Sequence, residues 1–167
     1  MKKNLRSKIL LCVLAGGVLA ANTALAAEYT GTIKDDITFN SGDVVKVDDI
    51  GIDSSDKELT VTVNGNTSVN AENMTNDAIG IKIEDNSMLI NGNDNAKLNI
   101  TANGGERAVG IDIYTPINKE TIINPDLEIT VSNNSDSYSY YDGAYGIYAG
   151  GDAIFNGDVR IEVNSDY

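Results

Sequence analysis

The chain contains no histidine, and that removes much of the usual catalytic repertoire. Ser-His and Cys-His nucleophile systems, histidine general bases and His-ligated zinc or iron all need the imidazole. Cysteine is nearly absent as well: Cys12 is the single one. Basic residues are scarce. There are 12 Lys and Arg against 25 Asp and Glu over 167 residues, a formal net charge of -13. Every acid follows residue 26, whereas Lys2, Lys3, Arg6 and Lys8 precede it. Residues 27–167 therefore hold 8 bases against 25 acids, a net charge of -17. Phosphate contacts need Lys or Arg, so nucleic-acid binding through a basic patch is ruled out. The same deficit argues against docking on an anionic membrane surface.

What is present begins with an export address. Residues 1–8 are basic, residues 9–21 are an apolar run of 13, and Ala24 and Ala26 form an A-x-A exit. The run is too short for a membrane span of about 20 residues. This is the three-part pattern of a secretory signal, with cleavage expected after Ala26. Cys12 lies in the apolar run after Leu11, not after a small residue, so a lipoprotein signal does not fit. Cys12 leaves with the signal. The mature chain then has no thiol, and its stability must come from backbone pairing and core packing.

The rest of the chain repeats itself. Ala78–Ile83 (AIGIKI) recurs at Ala108–Ile113 (AVGIDI) and at Ala144–Ala149 (AYGIYA). A second block runs Leu98–Ala102, Leu127–Val131 and Val159–Val163, with an earlier copy expected at Leu59–Val63. A shorter block lies between them at Leu89–Gly92, Ile122–Pro125 and Ile154–Gly157. Each block alternates apolar and polar residues, which marks a strand with one buried face. Clusters of Asn, Asp, Gly and Ser separate the blocks and suit turns. No stretch sustains a helical period.

A fixed order of three short strands in about 30 residues predicts an all-β fold: a parallel β-helix, or β-solenoid. Residues 1–26 are the signal peptide, 27–77 an N-terminal cap with an irregular first coil, and 78–167 the regular repeats. The expected core ladders are Ile81, Ile111 and Ile147, and Leu98, Leu127 and Val159, with Leu59 ahead of Leu98. On the outer surface Arg160 should stand beside Glu128, and Lys82 beside Asp112. The column Gly80, Gly110 and Gly146 falls at an outward parity, where recurrent glycine points to a bend or a close approach. An antiparallel β-sandwich would also alternate, but the constant block order favours the solenoid.

With these features the chain resembles the start of a passenger from the Gram-negative autotransporters, the type V secretion family. The likeness rests on the signal peptide, the acidic cysteine-free mature region, the Ala-x-Gly-Ile blocks, the Asn-Gly turns and Gly143–Ala149 (GAYGIYA). It implies a right-handed parallel β-helix, Sec-dependent export, passage through the protein's own C-terminal β-barrel, and display at the outer membrane as an adhesin. The sequence holds no such barrel and reaches Tyr167 just after a strand without a cap. The repeats are therefore expected to continue in a longer protein.

Chemistry-bearing residues fall in three kinds of place. Carbohydrate-active β-helices need a carboxylate pair on one face or calcium with a basic residue. Here Asp35-Asp36 and Asp48-Asp49 are strand neighbours or turn acids pointing apart, so no catalytic residue is assigned. No cofactor is expected. Calcium is the one metal with any signal, in Asn91–Asn95, Gly150–Asp152 and Asn156–Asp158, yet none of these completes a calcium-loop pattern. Tyrosine clusters at 138–148. Tyr138, Tyr140 and Tyr141 fall in the longest insertion between blocks and are candidate ligand-binding residues. Tyr145 is expected in the core and Tyr148 on the surface. The function expected is adhesin-like display and binding, with a host matrix protein or a glycan as partner, and no enzyme. A polysaccharide lyase or hydrolase with its active face elsewhere, and a passive spacer, are the alternatives.

Overall fold

The computed structural model describes residues 25–134 and 143–165. Residues 1–24, with Ala24 of the expected signal exit, and the three candidate tyrosines Tyr138, Tyr140 and Tyr141 lie outside the described residues; Ala26 is exposed beside the first strand.

The described residues form strands and turns, with no helix among them. Fifteen strands make three parallel sheets. Sheet A stacks β1 (Glu28–Thr30), β3 (Val44–Val47), β6 (Asn66–Asn73), β9 (Lys97–Gly104), β12 (Asp126–Asn133) and β15 (Val159–Ser165). Sheet B stacks β4 (Ile50–Asp53), β7 (Ala78–Glu84), β10 (Arg107–Tyr114) and β13 (Gly143–Ala149). Sheet C stacks β2 (Ile37–Asn40), β5 (Leu59–Asn64), β8 (Met88–Gly92), β11 (Thr121–Ile123) and β14 (Ala153–Phe155). The chain visits C, A and B in turn, so β2–β4, β5–β7, β8–β10 and β11–β13 are four successive coils of a β-solenoid. The segment 27–77, read as a cap and one irregular coil, carries β1 to β6.

Coils widen along the chain. In one column of sheet A, Glu28 pairs with Val44, then Ser68, Asn99, Glu128 and Arg160. The steps are 16, 24, 31, 29 and 32 residues. The first turn is thus about half the girth of the last. At this narrow end Tyr29 packs edge-on against buried Phe39, with ring centroids 5.4 Å apart. Buried Asp43 accepts the backbone amides of Ala27 (2.7 Å) and Asn40 (2.8 Å).

The core is the triangular interior between the sheets. Ile81, Ile111 and Ile147 stand in register. Ile81 and Ile111 are fully buried and Ile147 is half-buried. Leu98 and Leu127 are buried and paired. Burying such a side chain contributes about 1.5–3 kcal/mol. Outside, Asn156 donates to Asn124 (2.8 Å) and Asn124 to Asn91 (3.3 Å), so a ladder of amides climbs three coils.

Three expectations are corrected. Leu59 belongs to sheet C and pairs with Met88; the residue in register with Leu98 is Thr67. The early coils are shorter, so spacing alone put Leu59 one sheet out of place. Val159 does pair with Leu127, but it is 41% exposed, because β15 has a described neighbour on one side only. The glycine column does not face outward. A β-carbon on Gly80 would meet Ile100 Cγ2 at 2.2 Å, and on Gly110 it would meet Ile129 Cγ2 at 2.3 Å. On Gly146 it would meet Ile161 Cγ2 at 2.2 Å. Glycine lets sheet B bend inward and press on the isoleucines of sheet A. Gly51 begins the column, meeting Val69 in the same way.

Candidate binding surface

The outer face of sheet B carries one row of side chains across four coils: Asp53, Lys82, Asp112 and Tyr148, paired in that order. Lys82 and Asp112 are neighbours as expected, but each finds a different ionic partner. Lys82 Nζ pairs with Glu84 (2.5 Å), and Arg107 Nη2 donates to Asp112 (2.9 Å). Both side chains of the second pair are mostly buried, 24% and 13% exposed.

Arg107 has a second role. Its guanidinium carbon stands 5.5 Å from the Tyr148 ring centroid and 5.9 Å from that of Tyr145. The two rings meet edge-on at 5.7 Å. A cation over an aromatic face is held by the ring quadrupole. Tyr145 therefore sits half-buried under Arg107 and Tyr148 and does not join the core. Tyr148 is 49% exposed and Tyr114 is 62% exposed. Backbone at Gly150 lies against the Tyr114 ring, where a β-carbon would approach to 2.9 Å. The result is an aromatic patch whose cation is already neutralised by Asp112. Such a patch offers ring faces and phenol hydroxyls, which suit sugar C–H faces or protein side chains.

Sheet A has a shallow groove of about 650 Å³ on its outside. Lys46, Asn70 and Thr101 form one register row along it, Glu72 and Asn103 the next, and Met74 stands at its edge. Lys46 is held by Glu28 at 2.8 Å. The groove presents the carboxylates of Asp48 and Glu72 and the ammonium of Lys46 beside amides, a hydroxyl and a thioether.

The candidate acids are separately engaged. Asp35 pairs with Lys57 (2.5 Å), Asp36 accepts the Thr60 amide (2.8 Å), and Asp49 accepts from Asn73 (2.5 Å). Asp48 lines the sheet A groove. Arg160 is in register with Glu128, but Lys97 makes the ion pair with Glu128. Hydrogen bonding from Lys97, more than the charge of Arg160, holds the Glu128 carboxyl below its ordinary value. Burial pushes the Asp53 carboxyl up, but hydrogen bonds from the Ser55 hydroxyl and amide and from Lys34 outweigh it. The net direction is downward. Among the described residues no group of three or more Asp, Glu, His or Cys is arranged to hold a metal. Asn93 uses its side chain on the Asn95 amide (3.1 Å), an Asx turn. At the two other calcium candidates, Gly151 packs on Thr115 and Gly157 on Pro125.

Arg107 and Tyr114 did not stand out in the sequence. A signal existed: Arg107 opens the block that contains Asp112, and Tyr148 occupies the outward position of Lys82 and Asp112. No protein-family model matches the chain, and no match was found among curated proteins or solved structures.

Proposed function

We propose that this protein is an exported, surface-displayed β-solenoid of the autotransporter passenger type, acting by binding and not by catalysis. The observation that carries the reading is the Arg107–Tyr145–Tyr148 cluster on a rigid sheet face. Arg107 opens β10, and Tyr145 and Tyr148 lie in β13, the strand that follows the widest step in sheet B. That step is 36 residues from Ala108 to Ala144, against 30 from Ala78 to Ala108. Extra sequence inserted beside an aromatic patch on a stiff scaffold is where recognition concentrates. Tyr138, Tyr140 and Tyr141 belong to that insertion. The ligand in this reading is a neutral glycan or a matrix protein at a host surface, and no cofactor takes part.

The test is binding of the purified chain to immobilised glycans and matrix proteins. Tyr148→Ser, and Ser at Tyr138, Tyr140 and Tyr141 together, should weaken binding about tenfold or more while the melting temperature holds. Unchanged binding in both variants would leave a passive spacer. Release of reducing ends or unsaturated sugars would overturn the non-catalytic reading.

A further inference from the structure

Most of the few basic side chains after residue 26 already have an acid. Lys34, Lys57, Lys82, Lys97, Arg107 and Lys119 form ion pairs within the solenoid, and so does Lys46. The 25 acids far outnumber them. The surplus negative charge draws cationic partners and repels anionic ones.

The sheet A groove adds concavity to that surplus. Its volume of about 650 Å³ is within the range of about 300–1,000 Å³ typical of ligand sites. It spans β3, β6 and β9, in the middle of the sheet. Val47 pairs with Ala71. Asp48 and Glu72 follow the two members of that pair and bring two carboxylates to the groove from neighbouring coils. Lys46 is the cation on the lining, and it is held by Glu28 at 2.8 Å. Asp48, Glu72, Asn70 and Thr101 make no side-chain hydrogen bond or ion pair among the described residues. Polar side chains just outside are engaged: Asn99 donates to the Thr67 carbonyl (3.3 Å) and Asn73 to Asp49 (2.5 Å).

These free groups select a ligand chemistry. A neutral sugar would use the amide and hydroxyl and leave both carboxylates without a countercharge. A guanidinium answers all of them. Its planar fork of five N–H donors pairs with carboxylates in parallel bonds and keeps donors for the oxygens of Asn70 and Thr101. An arginine stem lies well along apolar surface, which half-buried Val47 and Met74, 57% exposed, provide. The lysine ammonium is compact, strongly hydrated and has three donors, so it fits less well.

We propose that the sheet A groove docks an arginine-bearing basic segment of a partner protein, with Asp48 and Glu72 receiving the guanidinium. The site lies on a different sheet from the Arg107–Tyr148 patch and does not depend on it.

The probe is the peptide acetyl-Gly-Arg-Gly-Arg-Gly-amide, titrated calorimetrically into the purified chain. Binding should saturate and should weaken as sodium chloride rises. The lysine counterpart should bind several-fold more weakly. The citrulline counterpart, which keeps the shape without the charge, should not bind. Asp48→Asn and Glu72→Gln should each weaken binding about tenfold, the size of one charge-assisted hydrogen bond, and together abolish it. Both residues are exposed, so the melting temperature should hold. Lys46→Gln removes a competing ammonium and frees Glu28, and should tighten binding. Asp85→Asn with Glu120→Gln removes the same charge outside the groove and should leave binding unchanged. No binding of the arginine peptide would overturn the proposal, as would equal binding of the citrulline peptide. So would binding that survives the Asp48→Asn, Glu72→Gln double variant. Equal losses in that variant and in the Asp85→Asn, Glu120→Gln control would reduce the effect to net charge and overturn it too.

Discussion

A β-carbon added to Gly80 would stand 2.6 Å from the carbonyl oxygen of Gly110, one coil further along. It would also be 2.2 Å from Ile100 Cγ2. The same clash repeats one coil on, between Gly110 and the carbonyl of Gly146 at 2.5 Å. Sheet B is thus stacked at a distance only glycine allows. Gly80→Ala should therefore destabilise the fold. The backbone-entropy gain from removing a glycine is about 0.4–1 kcal/mol. Overpacking a close-packed core costs about 1–3 kcal/mol, sometimes more, and here both sheet B and Ile100 must shift. Thermal unfolding would show a lower midpoint. An unchanged or raised midpoint would mean that the column is not tightly stacked.

Ile111 lies in the middle of the core ladder, fully buried between Ile81 and Ile147. Ile111→Asp places an unpaired carboxylate there, and the loss should be about 4 kcal/mol or more. Ile117 is the control. It is 95% exposed in a turn, so Ile117→Asp should move stability by less than about 0.5 kcal/mol. Denaturant midpoints for the two variants should differ widely. Similar midpoints would contradict the assigned strand parity.

Much of this core was readable from residues because a strand repeats every second position and a coil every 30 or so. From Ala78 to Ala149 the blocks recur with the same residues in the same order, and matching them gave the register directly although the steps are 30 and 36 residues. It failed at Leu59. Leu59-Thr60-Val61 and Leu98-Asn99-Ile100 share one pattern, yet they lie in different sheets. Alternation tells inside from outside but not one side of a triangle from another. That assignment depends on turns, and the early turns are short. The site was less legible still. Long side chains choose partners diagonally: Lys97 is in register with Asp126 but reaches Glu128. Arg107 reaches five residues along its own strand to Asp112. A row read from sequence gives neighbours, not contacts.

Acid should weaken the fold partly through Asp53. Its folded carboxyl titrates below the ordinary value of 3.8. A depressed folded pKa means stability that is present above the unfolded value. That stability is lost as pH falls through the folded one. Ser55 supplies two hydrogen bonds, 2.9 Å from its amide and 2.5 Å from its hydroxyl. Lys34 adds an ion pair at 3.2 Å, but its side chain is 50% exposed and solvent screens it. Asp53→Asn should cost about 1–2 kcal/mol at neutral pH. The drop in stability between neutral pH and pH 3 should shrink in that variant relative to the parent. An equal drop in both proteins would assign the acid lability to other carboxylates, such as Glu128, which Lys97 also holds low.

The narrow end should depend on Asp43. This carboxylate is 1% exposed, and its two oxygens accept amides from Ala27 and Asn40, 16 residues back and three residues back. It ties β1 to the loop that follows β2, under the packed rings of Tyr29 and Phe39. Asp43→Ala leaves two amides without acceptors. Each unsatisfied buried donor costs about 1–3 kcal/mol, though water can reach Ala27 once β1 loosens, so about 2 kcal/mol in total is expected. Asp43→Asn keeps one acceptor oxygen and should lose roughly half as much. Amide hydrogen exchange separates local from global effects. In Asp43→Ala the amides of β1 and Asn40 should lose protection, while Ile111 and Ile129, deep in later coils, keep theirs. Equal loss at both places would mean that the first turn is not a separable cap but part of one cooperative unit with the wider coils. Unchanged exchange at Asn40 would remove Asp43 from the account of how the solenoid begins.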